Sequence, residues 1–252
     1  MMTLFRKELL EQRRTYRGLI IVALFVFFGL SSPLIAKVLP DIIESLVVDG
    51  MVIQLPEPTW LDAFGQFFDN VVQMGLLALI LTSMGLVAEE KAKSTALLVL
   101  ARPIARSTFV WAKFAALSVV LALATLLSYL ACLYYAWVLF RPFPVLVTVE
   151  ATATFFVYAL FIGALTLCAS CLVQSGPAAG GLAVAGFFVV SILPSLHRLA
   201  ARYSPGALGG MTNRLMTGQM SLGEAAPALA ITLALALVLV AVGSWAFSRQ
   251  EI

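Results

Sequence analysis

The sequence predicts an all-α polytopic membrane protein: six transmembrane helices, an N-terminal amphipathic interfacial helix and a short cytoplasmic helix between helices 2 and 3. Three observations lead there. Of the 252 residues, 62% are apolar and only 12% charged, against about 45–50% and about 25% in a soluble domain. Mean hydropathy is +1.01. So little charge cannot cover a water-soluble surface, which excludes soluble folds, disordered chains and disulfide-stapled secreted modules. Next, six stretches reach the roughly 20 apolar residues that a helix needs to cross a bilayer. Finally, these stretches lack the alternation of an outer-membrane barrel, so they are helices that satisfy their own backbone groups. The whole chain, 1–252, reads as one transmembrane domain.

Residues 1–17 form the interfacial helix. Leu4, Phe5, Leu9 and Tyr16 share a face, and Arg6, Arg13 and Arg14 belong to the charged remainder. Such a helix lies in the membrane plane; the plainer alternative is a basic flank that sets topology. The spans follow at about 19–38, 70–88, 114–140, 151–173, 178–196 and 225–247. Their interiors hold no Asp, Glu or His. The first is too long for a signal-peptide core and lacks a cleavage site. Pro33 and Pro194 can kink their helices. Gln174-Ser175-Gly176-Pro177 makes a tight hairpin in which Gly ends one helix and Pro begins the next. Ser204–Glu224 is Gly-rich and fits a short outer helix or re-entrant turn.

Charge sets the orientation. Arg6, Lys7, Arg13, Arg14 and Arg17 precede the first span. Lys91, Lys93, Arg102, Arg106 and Lys113 lie between the second and third, and Arg249 follows the sixth. The segment 39–69 has six acids and no Lys or Arg. Both termini and the second–third connection are therefore expected in the cytoplasm of a cell-membrane protein. Arg198, Arg202 and Arg214 run against the rule, because their loop falls outside.

The segment 89–113, EEKAKSTALLVLARPIARSTFVWAK, is long for a connection between membrane helices. It opens on Glu89 and Glu90, continues as a helical run over 94–101, and breaks at Arg102-Pro103. Ser107 is placed to cap the third span. The short helix carries Leu97, Leu98 and Leu100 on an apolar face, suited to a groove on a soluble partner. Here the chain resembles the ABC-2 type permeases, the membrane subunits of bacterial and archaeal ABC exporters. Glu90, Thr95, Leu97, Leu98, Pro103, Arg106 and Lys113 fall at the family's offsets. Ser94 stands where Gly is usual, and Ala92 where a second acid is usual. The resemblance implies that 89–113 contacts the ATPase, with Glu89, Glu90, Thr95, Leu97, Leu98, Arg102, Pro103 and Arg106 as coupling residues. It implies two copies of a separately encoded ABC ATPase, which would carry ATP and magnesium, and a homodimer of this chain among membrane lipids.

No G-x-x-x-x-G-K-[ST] occurs, so the chain has no phosphate-cradling loop and is not expected to be an enzyme. No catalytic set, metal motif, resident cofactor or nucleic-acid signature stands out. The interior lacks the ionisable group that ion-coupled carriers normally need. Cys168 and Cys171 share a helix face and fit a soft-metal or redox pair, or plain packing. Met211, Met216 and Met220, and the lone His197, read as structural. Gly176, Gly180, Gly181 and Gly186 make a small-residue face, suited to a dimer seam or path-lining helix, or to packing within one subunit. Phe155, Phe156, Tyr158, Phe161, Phe187 and Phe188 line a path or face lipid. The expected function is export of an amphipathic or lipid-like substrate by alternating access. The alternative is an ATPase-coupled anchor or assembly factor acting on an extracytoplasmic partner.

Overall fold

The computed structural model describes residues 2–46, 57–92, 105–140 and 142–250. Among them every regular element is helical. They are α1 (Met2–Arg14), α2 (Arg17–Leu46), α3 (Trp60–Asn70), a π-helical turn (Val71–Gly75), α4 (Leu76–Ser83) and α5 (Ala88–Ala92). Then come α6 (Arg106–Leu139), α7 (Val145–Leu172), α8 (Gly176–Leu196), α9 (Arg198–Tyr203), α10 (Ala207–Met216) and α11 (Leu222–Ser248). Six helical stretches are long and apolar enough to cross a membrane. The second of them runs from Trp60 to Ala92 and is assembled from α3, the π turn, α4 and α5.

The helices overrun the expected spans. The largest difference is α3, which the sequence placed in an acidic outer loop. Thr59 starts it with a capping box: its backbone N–H donates to Asp62 Oδ2 at 2.7 Å. Asp41 and Glu44 belong to the last turns of α2, and Asp62 and Asp69 to α3. α6 begins one residue before Ser107, with Ala105 at the N-cap and no side-chain cap, so the expected Ser107 cap does not form. In the 174–177 hairpin Pro177 does begin a helix, but Gly176 is that helix's first residue rather than the end of the previous one, and Ser175 is the N-cap.

α7 is the most buried span. It packs against α11, α10, α8 and α6, while α2 packs most extensively along α6. Phe155 on α7 is buried against Phe25 of α2 and Phe68 of α3, with ring centroids 6.0 and 6.2 Å apart. Tyr158, Phe161 and Phe187 are buried as well, and Phe188 is exposed. Most of the aromatics singled out in the sequence therefore build the core of one subunit. Gly243 on α11 comes down on Cys168 and Cys171, where a Cβ would stand 3.5 Å from Cys171 Sγ. Both cysteines are free and buried, as the packing alternative expects.

The segment after α8 is a pair of short helices that packs back against the bundle. α9 folds back along α8, and a Cβ at Gly206 would overlap the Val190 carbonyl. α10 then packs on α7, with Gly209 beside Tyr158 near the middle of that helix. Leu208, Met211, Leu215 and Met216 are buried there, so these methionines serve packing. His197 caps α9, its Nδ1 accepting from the Leu199 N–H at 3.2 Å.

Candidate functional site

The chemistry-bearing residues of 89–113 that the structure describes lie at the end of the bundle that also holds both chain ends. Thr95, Leu97, Leu98, Arg102 and Pro103 fall outside the described residues. Glu89, Glu90, Lys91, Arg106 and Lys113 do not, and each is tied to a distant part of the chain.

Lys113 stands in the second turn of α6, just inside the apolar stretch. Its side chain is 1% exposed. An unpaired ammonium buried this way would cost several kcal/mol, so its partners decide whether the fold is tolerable. Nζ donates to Glu8 Oε2 and to Glu90 Oε1, each at 2.7 Å, and lies 4.8 Å from the centre of the Phe109 ring. Lys7 closes the other side. It meets Glu8 at 2.9 Å, Glu11 at 2.6 Å and Glu90 at 3.3 Å. Burial by itself would lower the Lys7 pKa. Hydrogen bonds to Glu11 and Glu8 and the charges of Glu8 and Glu90 outweigh it and raise the ammonium above its ordinary 10.5. For Glu11, burial pushes the carboxyl up, but the Lys7 hydrogen bond and the Lys113, Lys7 and Arg17 charges bring it below its ordinary 4.5.

This pairing corrects the amphipathic reading of α1. The buried positions are Leu4, Glu8 and Gln12, one per turn. Phe5 and Leu9 are half-buried. Arg6, Arg13 and Arg14 are exposed, and Tyr16 is exposed beyond the helix end. Tyr16 adopts φ 60°, a left-handed conformation that turns the chain from α1 into α2. The helix is amphipathic, but an acid lies in the centre of its inner face.

The site widens around Glu89. Arg17 Nη2 donates to Glu89 Oε2 at 2.8 Å. The Ser170 hydroxyl of α7 accepts from both the Val87 and Ala88 N–H groups at 3.0 Å. It thereby holds the start of α5, where helix geometry leaves N–H groups without partners. Lys91 Nζ donates to the Cys171 carbonyl at 2.8 Å and to Gln250 Oε1 at 3.2 Å. Arg106 Nη1 donates to the Gln250 carbonyl at 2.6 Å. α1, α5, the start of α6, the end of α7 and the chain end thus form one connected polar face.

Burial also revises what the charges are worth. Exposed charges outside the hydrocarbon cost little to remove, which is the expectation the sequence raises for Glu90 and Arg106. Glu90 is 9% exposed and paired to Lys113, so its removal takes away one of the two carboxylates that hold a buried cation.

Three carboxylates, Glu8, Glu11 and Glu90, come within 4.8 Å of one another. A metal would have to displace Lys7 and Lys113, which already supply the positive charge. The small-residue face of α8 divides in two. Gly176 and Gly180 are buried, facing Gly85 and Met84 of their own subunit, and Gly186 faces Leu165 of α7. Gly181 is exposed with nothing within 4 Å of a built Cβ. Sequence reasoning missed Glu8 and the Ser170 clamp. For Glu8 the signal was present as an acid one turn from Leu4 and one from Gln12.

The whole chain, residues 2–252, matches the family described as ABC-2 family transporter protein. A relative in Bacillus subtilis (strain 168), the uncharacterized transmembrane protein YxlG, is 26% identical over 200 residues, covering 77% of this chain and 78% of the relative. With six apolar helices and this match over its full length, the chain belongs to the ABC-2 transporter family and is a multi-pass membrane permease subunit of an ABC transporter.

Proposed function

We propose that this permease subunit exports an amphipathic or lipid-like substrate by alternating access, as a homodimer driven by two copies of a separate ATPase. The family carries the ATPase partner; the rest is our reading. The observation that carries it is the Lys113 cluster. Its ion pairs join α1, α5 and α6, directly before residues 93–104, the segment whose leucines suit a partner groove. A push on that segment would be passed to α1 and to α6 together, because parting them exposes unpaired charge. Such a push shifts populations only if ATP-bound and ATP-free motors contact the segment differently. Magnesium and ATP belong to the motor. The abundance of Lys and Arg at this end supports placing both termini and the coupling segment in the cytoplasm. The open flank of Gly181 supports a seam between two copies of the chain.

The test uses substitutions that spare the buried ion pairs. The chain is co-expressed with its cognate ABC ATPase subunit, and recovery of the ATPase is measured for wild type and for Leu97→Asp/Leu98→Asp. Forcing charge into an apolar groove costs on the order of 2 kcal/mol or more. Recovery should therefore fall more than about tenfold, with the permease still monodisperse in detergent. Unchanged recovery, or ATP hydrolysis by the isolated chain, sinks the proposal.

A further inference from the structure

At the opposite end of the bundle, positive charge gathers without an acidic partner among the described residues, Arg202 lying only over the Tyr203 ring at 5.4 Å. Arg198 and Arg202 lie one turn apart on the same face of α9, and Arg214 lies on α10. All three line one cavity of about 400 Å³, together with Met211, Met220 and Glu224. Among the described residues none of the three arginines forms an ion pair. Glu224 is the one acid lining the cavity. Its Oε2 accepts from the Ser221 backbone N–H at 2.9 Å, closing the capping box of α11. Three guanidiniums therefore face one carboxylate that is already engaged.

The surroundings narrow the ligand. Leu196 and Leu199 beside the arginines are 73% and 62% exposed. In a bundle that spans a membrane, leucines this exposed face hydrocarbon. The guanidiniums thus sit where acyl chains give way to headgroups, the level to which long cationic side chains extend. A guanidinium offers a planar fork of donors that matches phosphate oxygens two at a time. Buried Met211 and half-buried Met220 give the cavity an apolar wall for the glycerol end of a lipid. The far flank of α10 faces a different cavity, lined by Asp62 and Asp69 of α3, which repels anions and directs them to the arginine side. These same arginines are among the basic residues that run against the positive-inside pattern. A phosphate ligand gives them a role where topology gives none.

We propose that the cavity between α9, α10 and the start of α11 binds a phosphate group, carried by an anionic phospholipid, with Arg198, Arg202 and Arg214 as its ligands. The proposal rests on the six-span architecture and not on coupling to an ATPase or on export. The site holds its headgroup whether the lipid is cargo or a resident.

The test is direct binding to the delipidated full chain, followed by native mass spectrometry. Three probes are titrated: dioleoyl phosphatidylglycerol, dioleoylglycerol with the same tails and no phosphate, and inorganic phosphate. Phosphatidylglycerol should bind at least about tenfold more tightly than dioleoylglycerol. Arg202→Gln/Arg214→Gln should remove that difference, since each charged hydrogen-bonding group is worth about tenfold. Arg249→Gln, an interfacial arginine at the other end, should leave it intact. Displacement of the lipid by millimolar inorganic phosphate would make free phosphate a ligand of the same site. Retention of the lipid would mark the headgroup as the source. If the double variant loses its monodisperse peak, Arg214→Lys keeps the charge without the fork and should weaken phosphatidylglycerol several-fold. Equal binding of the two dioleoyl lipids to wild type, or unchanged phosphatidylglycerol affinity in the Arg214→Lys chain, overturns the proposal.

Discussion

The two ends of the bundle handle charge in opposite ways. At the end that holds both chain ends, Lys113 is buried and touches two carboxylates at 2.7 Å, and Lys7 and Arg17 meet Glu8, Glu11, Glu90 and Glu89. At the other end Arg198, Arg202 and Arg214 crowd one cavity and pair with no acid among the described residues. The first set is internal: its charges hold elements of the protein to one another, and their removal is paid for in folding. The second set is exposed and contributes little to the fold, so a role for it must come from something outside the chain. The same residue types thus carry different meanings, and burial together with partner distance separates them.

Substitutions at each end can break that contrast. The largest effect is expected for Lys113→Met, which keeps the bulk of the side chain and leaves the half-buried Lys7 as the remaining cation for Glu8 and Glu90. Breaking one side of a buried pair costs about 3–5 kcal/mol, read as a lowered thermal midpoint in detergent. Adding Glu8→Gln and Glu90→Gln should recover most of the loss. A Lys113→Met chain as stable as wild type would mean that the cluster does not hold α1 down.

A smaller effect is expected from acid. Glu11 titrates below its ordinary value in the folded chain, so its contribution is complete above pH 4.5 and fades as pH falls through the lower folded value. Lys7 titrates above its ordinary value, so its contribution is complete below pH 10.5 and fades as pH rises through the higher folded value. Docking of α1 should therefore be flat between those limits and weaken below about pH 4.5. Hydrogen exchange of residues 2–14 against pH measures it, and a step near neutrality would contradict the assignment. The smallest effect belongs to the far end. Arg198→Gln, Arg202→Gln and Arg214→Gln should each change stability by less than about 0.5 kcal/mol. A loss above 2 kcal/mol at any of them would erase the contrast.

The spans, the 174–177 hairpin and the short helix after α8 were legible because each depends on local signals: apolar length, a Pro after a Gly, a Gly-rich turn. The buried acid of α1 was not. Its local pattern favours Leu4, Phe5, Leu9 and Tyr16 as the inner face. Glu8 displaces them because Lys113, far away in sequence, makes its burial tolerable. Lys113 itself stood out as a position of the family's pattern and as a charge on the cytoplasmic flank, with nothing local to mark it as buried. α3 was misplaced for a related reason. Asp62 and Asp69 suggested a solvated loop, although Thr59-x-x-Asp62 is a legible helix start. Of the coupling residues, the placements of Glu89, Glu90 and Arg106 depend on contacts with α1, α2 and the chain end, which no spacing rule within 89–113 encodes.

The π turn at Val71–Gly75 bears on how relatives of this chain should be aligned. A π turn holds one residue more than the α-helix around it. Losing that residue would leave a regular helix but rotate one half of the second span against the other by about 100°. Asp62, Gln66 and Asp69 would swing away from α2, while Leu76, Leu79 and Ile80 kept their seats. Relatives that retain the packing of both halves should keep this length, and those that lack the turn should show a single-residue gap at 71–75 with compensating changes on the face of α3.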